Sequence, residues 1–167
     1  MAMVGLFWIA EGDVYVGAKP SGLAAGVRLT PEGVVALGDK QDGLWPWEDV
    51  HALVARDVPV KSLKRNVGVL VGLALTVGLG GGDEAPTMTL RVSDADGDTD
   101  LTVYTAAATG YSRAEYELSR ELLSRLTQGA GTLLTTLAAM AEWGRRHEGG
   151  TPRAAEREDL LRTWTES

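Results

Sequence analysis

Leu29-Thr30-Pro31-Glu32-Gly33-Val34-Val35-Ala36-Leu37-Gly38, followed shortly by Leu44-Trp45-Pro46-Trp47-Glu48-Asp49-Val50, decides how this chain of 167 residues reads. Two short apolar runs flank Thr30–Gly33, where Pro presets one turn dihedral and Gly accepts positive φ. That is a hairpin. The Trp45-Pro46-Trp47 corner then bends the chain and launches a further strand. Outward from this passage the same grammar repeats. Val4–Ile9 and Val14–Gly17 flank Glu11-Gly12-Asp13 as another hairpin, and His51–Arg56 supplies a strand. Thr87–Val92 alternates with period two, placing Met88, Leu90 and Val92 on one face. Leu101–Tyr104 is its expected partner across the loop Ser93–Asp100. About seven such strands with short turns predict a curled antiparallel sheet that closes on itself.

Near Tyr111 the period becomes helical. Ser112 and Glu115 form a capping box between Tyr111 and Tyr116, and Leu118, Leu122 and Leu126 follow on successive turns. Gly129 is the expected stop. Leu133, Leu134, Leu137, Met140 and Ala141 predict a second amphipathic helix ending near Arg145-Arg146. After Gly149-Gly150, Thr151-Pro152 starts a third, which carries Leu160, Leu161 and Trp164 toward one side. The fold class is therefore α+β: a β domain with its capping helix over 1–128, and a helical extension over 129–167 that packs on the domain or on a partner.

Composition narrows the function. With 44% apolar and 23% charged residues the chain is that of a soluble globular protein. It has no Cys, which excludes disulfides, thiolate catalysis and Cys-based metal sites and fits a reducing cytoplasm. A net charge of −7 disfavours nucleic acid, whose binding rests on cations neutralising phosphates. The start of the chain lacks the basic flank of a signal peptide.

Chemistry-bearing patterns are sparse. His51 and His147 lie far apart, and neither has a Ser or Asp nearby with triad logic. Glu48 and Asp49, if on a strand, point to opposite faces, which does not suit paired acid–base work. Gly78–Asp83 has no Lys-Ser/Thr after it, as a phosphate loop requires. Asp94-Ala95-Asp96-Gly97-Asp98-Thr99-Asp100 misplaces the Gly and the closing Glu of a calcium loop, so it reads as a solvated hairpin with Asp-Gly at the turn, a cation being the minor alternative. No catalytic residue, cofactor or metal ligand is assigned.

Two features point to contacts. Trp45 and Trp47 lie on one side of the Pro46 corner, either both core or both a partner anchor, with core favoured. Lys61, Lys64 and Arg65 precede the uncharged run Val67–Leu79, with Leu70 and Leu73 inside it. That run reads as buried strand or as contact with an anionic membrane surface; a third reading is an edge that pairs with another subunit. It is too short to span a bilayer as a helix, which takes roughly 20 residues.

The Leu29–Leu37 hairpin, the Pro46–Val50 corner and the capped helix resemble bacterial pleckstrin-homology-like domains over about residues 1–128. The resemblance implies a partly open barrel plugged at one end by the helix from Arg113 to Gln128, and family functions from lipid headgroup binding to peptide and protein docking. The first turn departs from lipid-binding members: Glu11 and Asp13 stand where they carry Lys and Arg, and the next loop offers only Lys19. The expected function is a non-enzymatic binding or assembly module for protein partners, self-association included. The alternative is a peripheral membrane module using residues 61–79, at the inner face of the membrane. No small-molecule substrate is indicated.

Overall fold

In the computed structural model, which describes residues 2–20, 24–38, 41–60, 87–107 and 110–166, the short apolar runs pair with their neighbours in sequence. A six-stranded antiparallel meander holds β1 (Ala2–Val4), β2 (Phe7–Ala10), β3 (Asp13–Val16), β4 (Gly26–Leu29), β5 (Gly33–Leu37) and β6 (Gly43–Pro46) in that order. After a 3-10 turn at Trp47–Asp49, a second antiparallel sheet holds β7 (Ala52–Arg56), β8 (Thr87–Asp94) and β9 (Gly97–Tyr104). Helices α1 (Arg113–Leu126), α2 (Ala130–Arg146) and α3 (Ala154–Glu166) follow. The class is α+β, with antiparallel sheets layered in sandwich fashion.

Register explains the core. Ala2, Ile9, Val14, Leu29, Val34 and Trp45 are cross-strand neighbours in one row over all six strands. Opposite them Leu53, Ala55, Met88, Leu90, Val92, Leu101 and Val103 are buried, with period two along their strands. Helix α1 adds Leu122, Leu123 and Leu126 to the same cluster, α2 adds Leu133, Leu137 and Met140, and α3 adds Leu161 and Trp164. The C-terminal helices thus lay their stripes on their own sheet and on α1. Leu134, at 49% exposure, is the large apolar residue of α2 left outside. Among the described residues no helix is long and apolar enough to cross a membrane.

Several expectations are corrected. The described strands number nine rather than about seven, partly because the run Val4–Ile9 is two strands folded at Gly5-Leu6. Gly5 has φ +58, and a Cβ there would strike the Ser119 hydroxyl and meet Leu161 Cδ1 at 2.8 Å. The next turn has positive φ at both central residues, Glu11 (φ 51) and Gly12 (φ 96), as a two-residue hairpin turn requires. The described strands do not close into a barrel. The 3-10 turn interrupts the path from β6 to β7, and where β9 approaches β4 the side chain of Gln41, rather than a ladder, joins the sheets.

The acidic segment is barely a loop. β8 and β9 run on to Asp94 and Gly97, leaving Ala95-Asp96 as the turn, with Asp96 N donating to Asp94 Oδ1 at 2.9 Å. Gly129, expected to stop the first helix, is the residue before α2 begins; α1 ends at Leu126 with Thr127 as its C-cap. Glu48 and Asp49 sit in the 3-10 turn, both exposed, and not on a strand.

Candidate functional site

Every open sheet has edges, and an edge with unpaired N–H and C=O groups is a template for another chain. Here the edges are β1, β6, β7 and β9, and they are treated differently. On β1, Met3 N donates to the Thr151 hydroxyl at 3.1 Å. On β9, the Gln41 amide imitates a strand: its Nε2 donates to Thr102 O at 2.9 Å and its Oε1 accepts from Thr102 N at 3.0 Å. Ala18 N covers Tyr104 O beside it at 2.7 Å. β6 is four residues long and ends at Pro46, which has no N–H to offer. Among the described residues nothing hydrogen-bonds the second edge of β7.

That edge opens into a groove of about 460 Å³. One wall is His51 to Val54; the other is Glu117, Arg120, Glu121 and Ser124 of α1 with its C-cap Thr127. Alternation along β7 buries Leu53 and Ala55 and turns Val54 outward at 38% exposure. The helix wall is the polar stripe left once Leu122, Leu123 and Leu126 have gone inward. Beyond the strand the chain is tied down, since Tyr111 N donates to Pro59 O at 2.7 Å. The groove thus offers a fixed strand edge, one apolar side chain and a row of charged and hydroxyl groups.

A second cleft, of about 340 Å³, lies among Met3, Trp8, Tyr111, Glu115, Thr151 and Arg157. Its chemistry is already spent internally. Ser112 caps α1 by accepting from Glu115 N at 3.2 Å and donates back to Glu115 Oε2 at 2.9 Å. The rest of that carboxylate serves other elements: it accepts from Gly5 N at 3.3 Å and, as a bidentate partner, from Arg157 Nε at 2.6 Å and Nη2 at 3.0 Å. Arg157 Nη1 donates onward to Pro152 O at 2.6 Å. Burial raises the Glu115 pKa, but the Arg157 guanidinium, the Ser112 hydroxyl and the Gly5 N–H outweigh it and hold the carboxyl below its usual value. This is a clamp joining the β1–β2 turn, α1 and α3. Nearby, burial pushes the Tyr111 phenol up while its oxygen accepts from Ala106 N at 3.0 Å.

The residues singled out in the sequence are not brought together. Trp45 and Trp47 are both half-buried against the core, and Trp47 Nε1 donates to Thr30 O at 2.6 Å, pinning the corner to the β4–β5 hairpin. Lys61, Lys64, Arg65, Leu70 and Leu73, with the whole run Val67–Leu79, lie outside the described residues. His51 is exposed on the groove wall; His147 stacks on Trp143 with ring centroids 4.4 Å apart. Asp100 is held by Arg91 of the neighbouring strand at 2.7 Å, and among the described residues no three metal-ligating side chains converge. Reading the sequence missed the groove residues. Two signals were there: Val54, apolar at an outward position of an alternating strand, and Glu117 with Glu121, like charges one turn apart. No family model, curated protein or solved structure matches the chain.

Proposed function

We propose that this chain is a non-enzymatic docking module that takes an extended segment of a protein partner as an added strand on β7, alongside α1. The observation that carries the reading is the contrast among edges: two are covered by side chains, one is short and closed by Pro46, and β7 is left facing a groove. Strand addition draws affinity from main-chain hydrogen bonds and specificity from alternate side chains, and both are on offer here. The pleckstrin-homology-like resemblance suits this reading, since docking of peptides is among the functions it implies, though fold analogy alone would not select it. Self-association through the C-terminal helices is less favoured, because their apolar stripes already rest on the rest of the chain. No contact of the described residues bears on the membrane alternative, which rests on residues 61–79.

The test is selection of linear peptides from a displayed library on the immobilised full chain, followed by amide-shift mapping with the enriched peptide. Perturbations centred on Ala52–Arg56 and Glu117–Thr127, lost when alternate peptide amides are N-methylated, support strand addition. Enrichment of nothing, or mapping elsewhere, overturns it.

A further inference from the structure

Resting on that docking reading, we infer that the segment taken by the groove is basic: a strand with Lys or Arg at every second residue on the side turned to α1, and β-branched residues between them. The alternation follows from β7. Leu53 and Ala55 share the core side with Leu122, Leu123 and Leu126 of α1, while Val54 points the other way. A strand added to this edge therefore sends one set of side chains toward α1 and the other beside Val54, where a β-branched neighbour pairs best.

The charge follows from α1. Glu117 and Glu121 stand one turn apart on the groove wall, about 6 Å along the helix. Two residues on the same side of a strand are about 6.6 Å apart, so one alternating strand is able to meet both carboxylates. Like charges at this spacing work against the helix, and among the described contacts only the exposed Arg113–Glu117 pair offsets them. Glu121 has no salt bridge among the described residues. Glu117 holds Arg113 at 3.3 Å with the two side chains 60% and 81% exposed, a pair weak enough to yield to a better-placed cation. The cation on the same wall, Arg120, lies over the Tyr116 ring, 5.4 Å from its centroid. The net charge of −7 adds long-range attraction for a basic segment.

The experiment uses three labelled heptapeptides, Thr-Xaa-Val-Xaa-Val-Xaa-Thr with Xaa as Lys, Gln or Glu, titrated against the full chain by fluorescence polarisation. The Lys peptide is expected to bind about fivefold more tightly than the Gln peptide, the Glu peptide more weakly than either, with the preference collapsing at high salt. Glu117→Gln/Glu121→Gln removes the preference, the Lys and Gln peptides then binding alike, and Glu117→Lys/Glu121→Lys reverses it. Both positions are exposed, so an unchanged circular dichroism spectrum shows that the variants fold. Equal binding of Lys and Gln peptides, with shifts at Ala52–Arg56, overturns the charge preference and leaves docking intact. Absence of binding by all three, together with a library that enriches nothing, removes both.

Discussion

Helix α1 carries glutamates on two of its faces, and they meet opposite fates. Glu115 is 1% exposed and accepts from a hydroxyl, a backbone N–H and a guanidinium, whereas Glu117 and Glu121 line an open groove beside β7. One carboxylate is consumed in holding elements together; of the other two, Glu117 makes one exposed pair with Arg113, and Glu121 makes no salt bridge among the described residues. A buried charge must be satisfied from within or it costs several kcal/mol, while an exposed one is neutral to stability and left free for recognition. The contrast separates the part of α1 that builds the molecule from the part that meets other molecules.

Breaking the clamp should have the largest effect. Arg157→Met leaves the Glu115 charge buried without its main partner, and the expected loss is about 3–5 kcal/mol in urea unfolding. Glu115→Met/Arg157→Met should lose less than the two single changes added together, because the stranded charge has gone. Some loss persists, since Gly5 N then has no acceptor. Strict additivity would mean that the bidentate pair contributes no coupling. Glu117→Gln and Glu121→Gln should each stay within about 0.5 kcal/mol of the parent.

The same clamp gives stability a direction in pH. A carboxyl whose pKa lies lower folded than unfolded binds fewer protons in the native state, so it stabilises above its ordinary value of 4.5. That stabilisation fades as pH falls below 4.5 and through the lowered folded value. Unfolding curves of the parent chain should therefore weaken below that point, and those of Glu115→Met/Arg157→Met should weaken less. Asp100, lowered by its hydrogen bond with Arg91, works in the same direction in both proteins and drops out of the comparison. An identical acid dependence of the two would remove Glu115 from the account.

The clamp was half legible. Ser112 with Glu115 announced a capping box, and its Ser112 half is there, but the carboxylate turns instead to the Ser112 hydroxyl, Gly5 and Arg157, and the spacing says nothing of the last two, 110 and 42 residues away. Local patterns also located the Leu29–Leu37 hairpin and the alternation of Met88, Leu90 and Val92, because period two and turn chemistry are short-range properties. What stayed hidden was long-range. Gly5 inside an apolar run looks like a pause in a strand until Ser119 and Leu161 are seen packed against it. Gln41 looks like any polar loop residue until Thr102 arrives. The groove was illegible for the same reason: an edge is defined by which strand fails to pair, and no window of sequence holds that fact.

Gln41 therefore offers the smallest and most pointed test of the edge argument. Its Nε2, with two hydrogens, is shared among Gly26 O, Leu37 O and Thr102 O, and its Oε1 accepts from Thr102 N. Water reaches this half-buried site and replaces part of these bonds, so Gln41→Ala should cost only about 1–2 kcal/mol. The informative readout is local. Hydrogen exchange at the Thr102 amide should accelerate well beyond the global change, because its acceptor is gone, while amides of Ala52–Arg56 keep their parent rates. Among the described residues the variant strips the covering side chain from β9, leaving only Ala18 N on Tyr104 O, and so brings β9 close to the state of β7, which the parent treats differently. If a strand-forming peptide then binds at β9 as well as at β7, the covering side chain is what directs partners to β7. If it still binds at β7 alone, the selectivity belongs to the α1 wall, and Glu117 with Glu121 carry it.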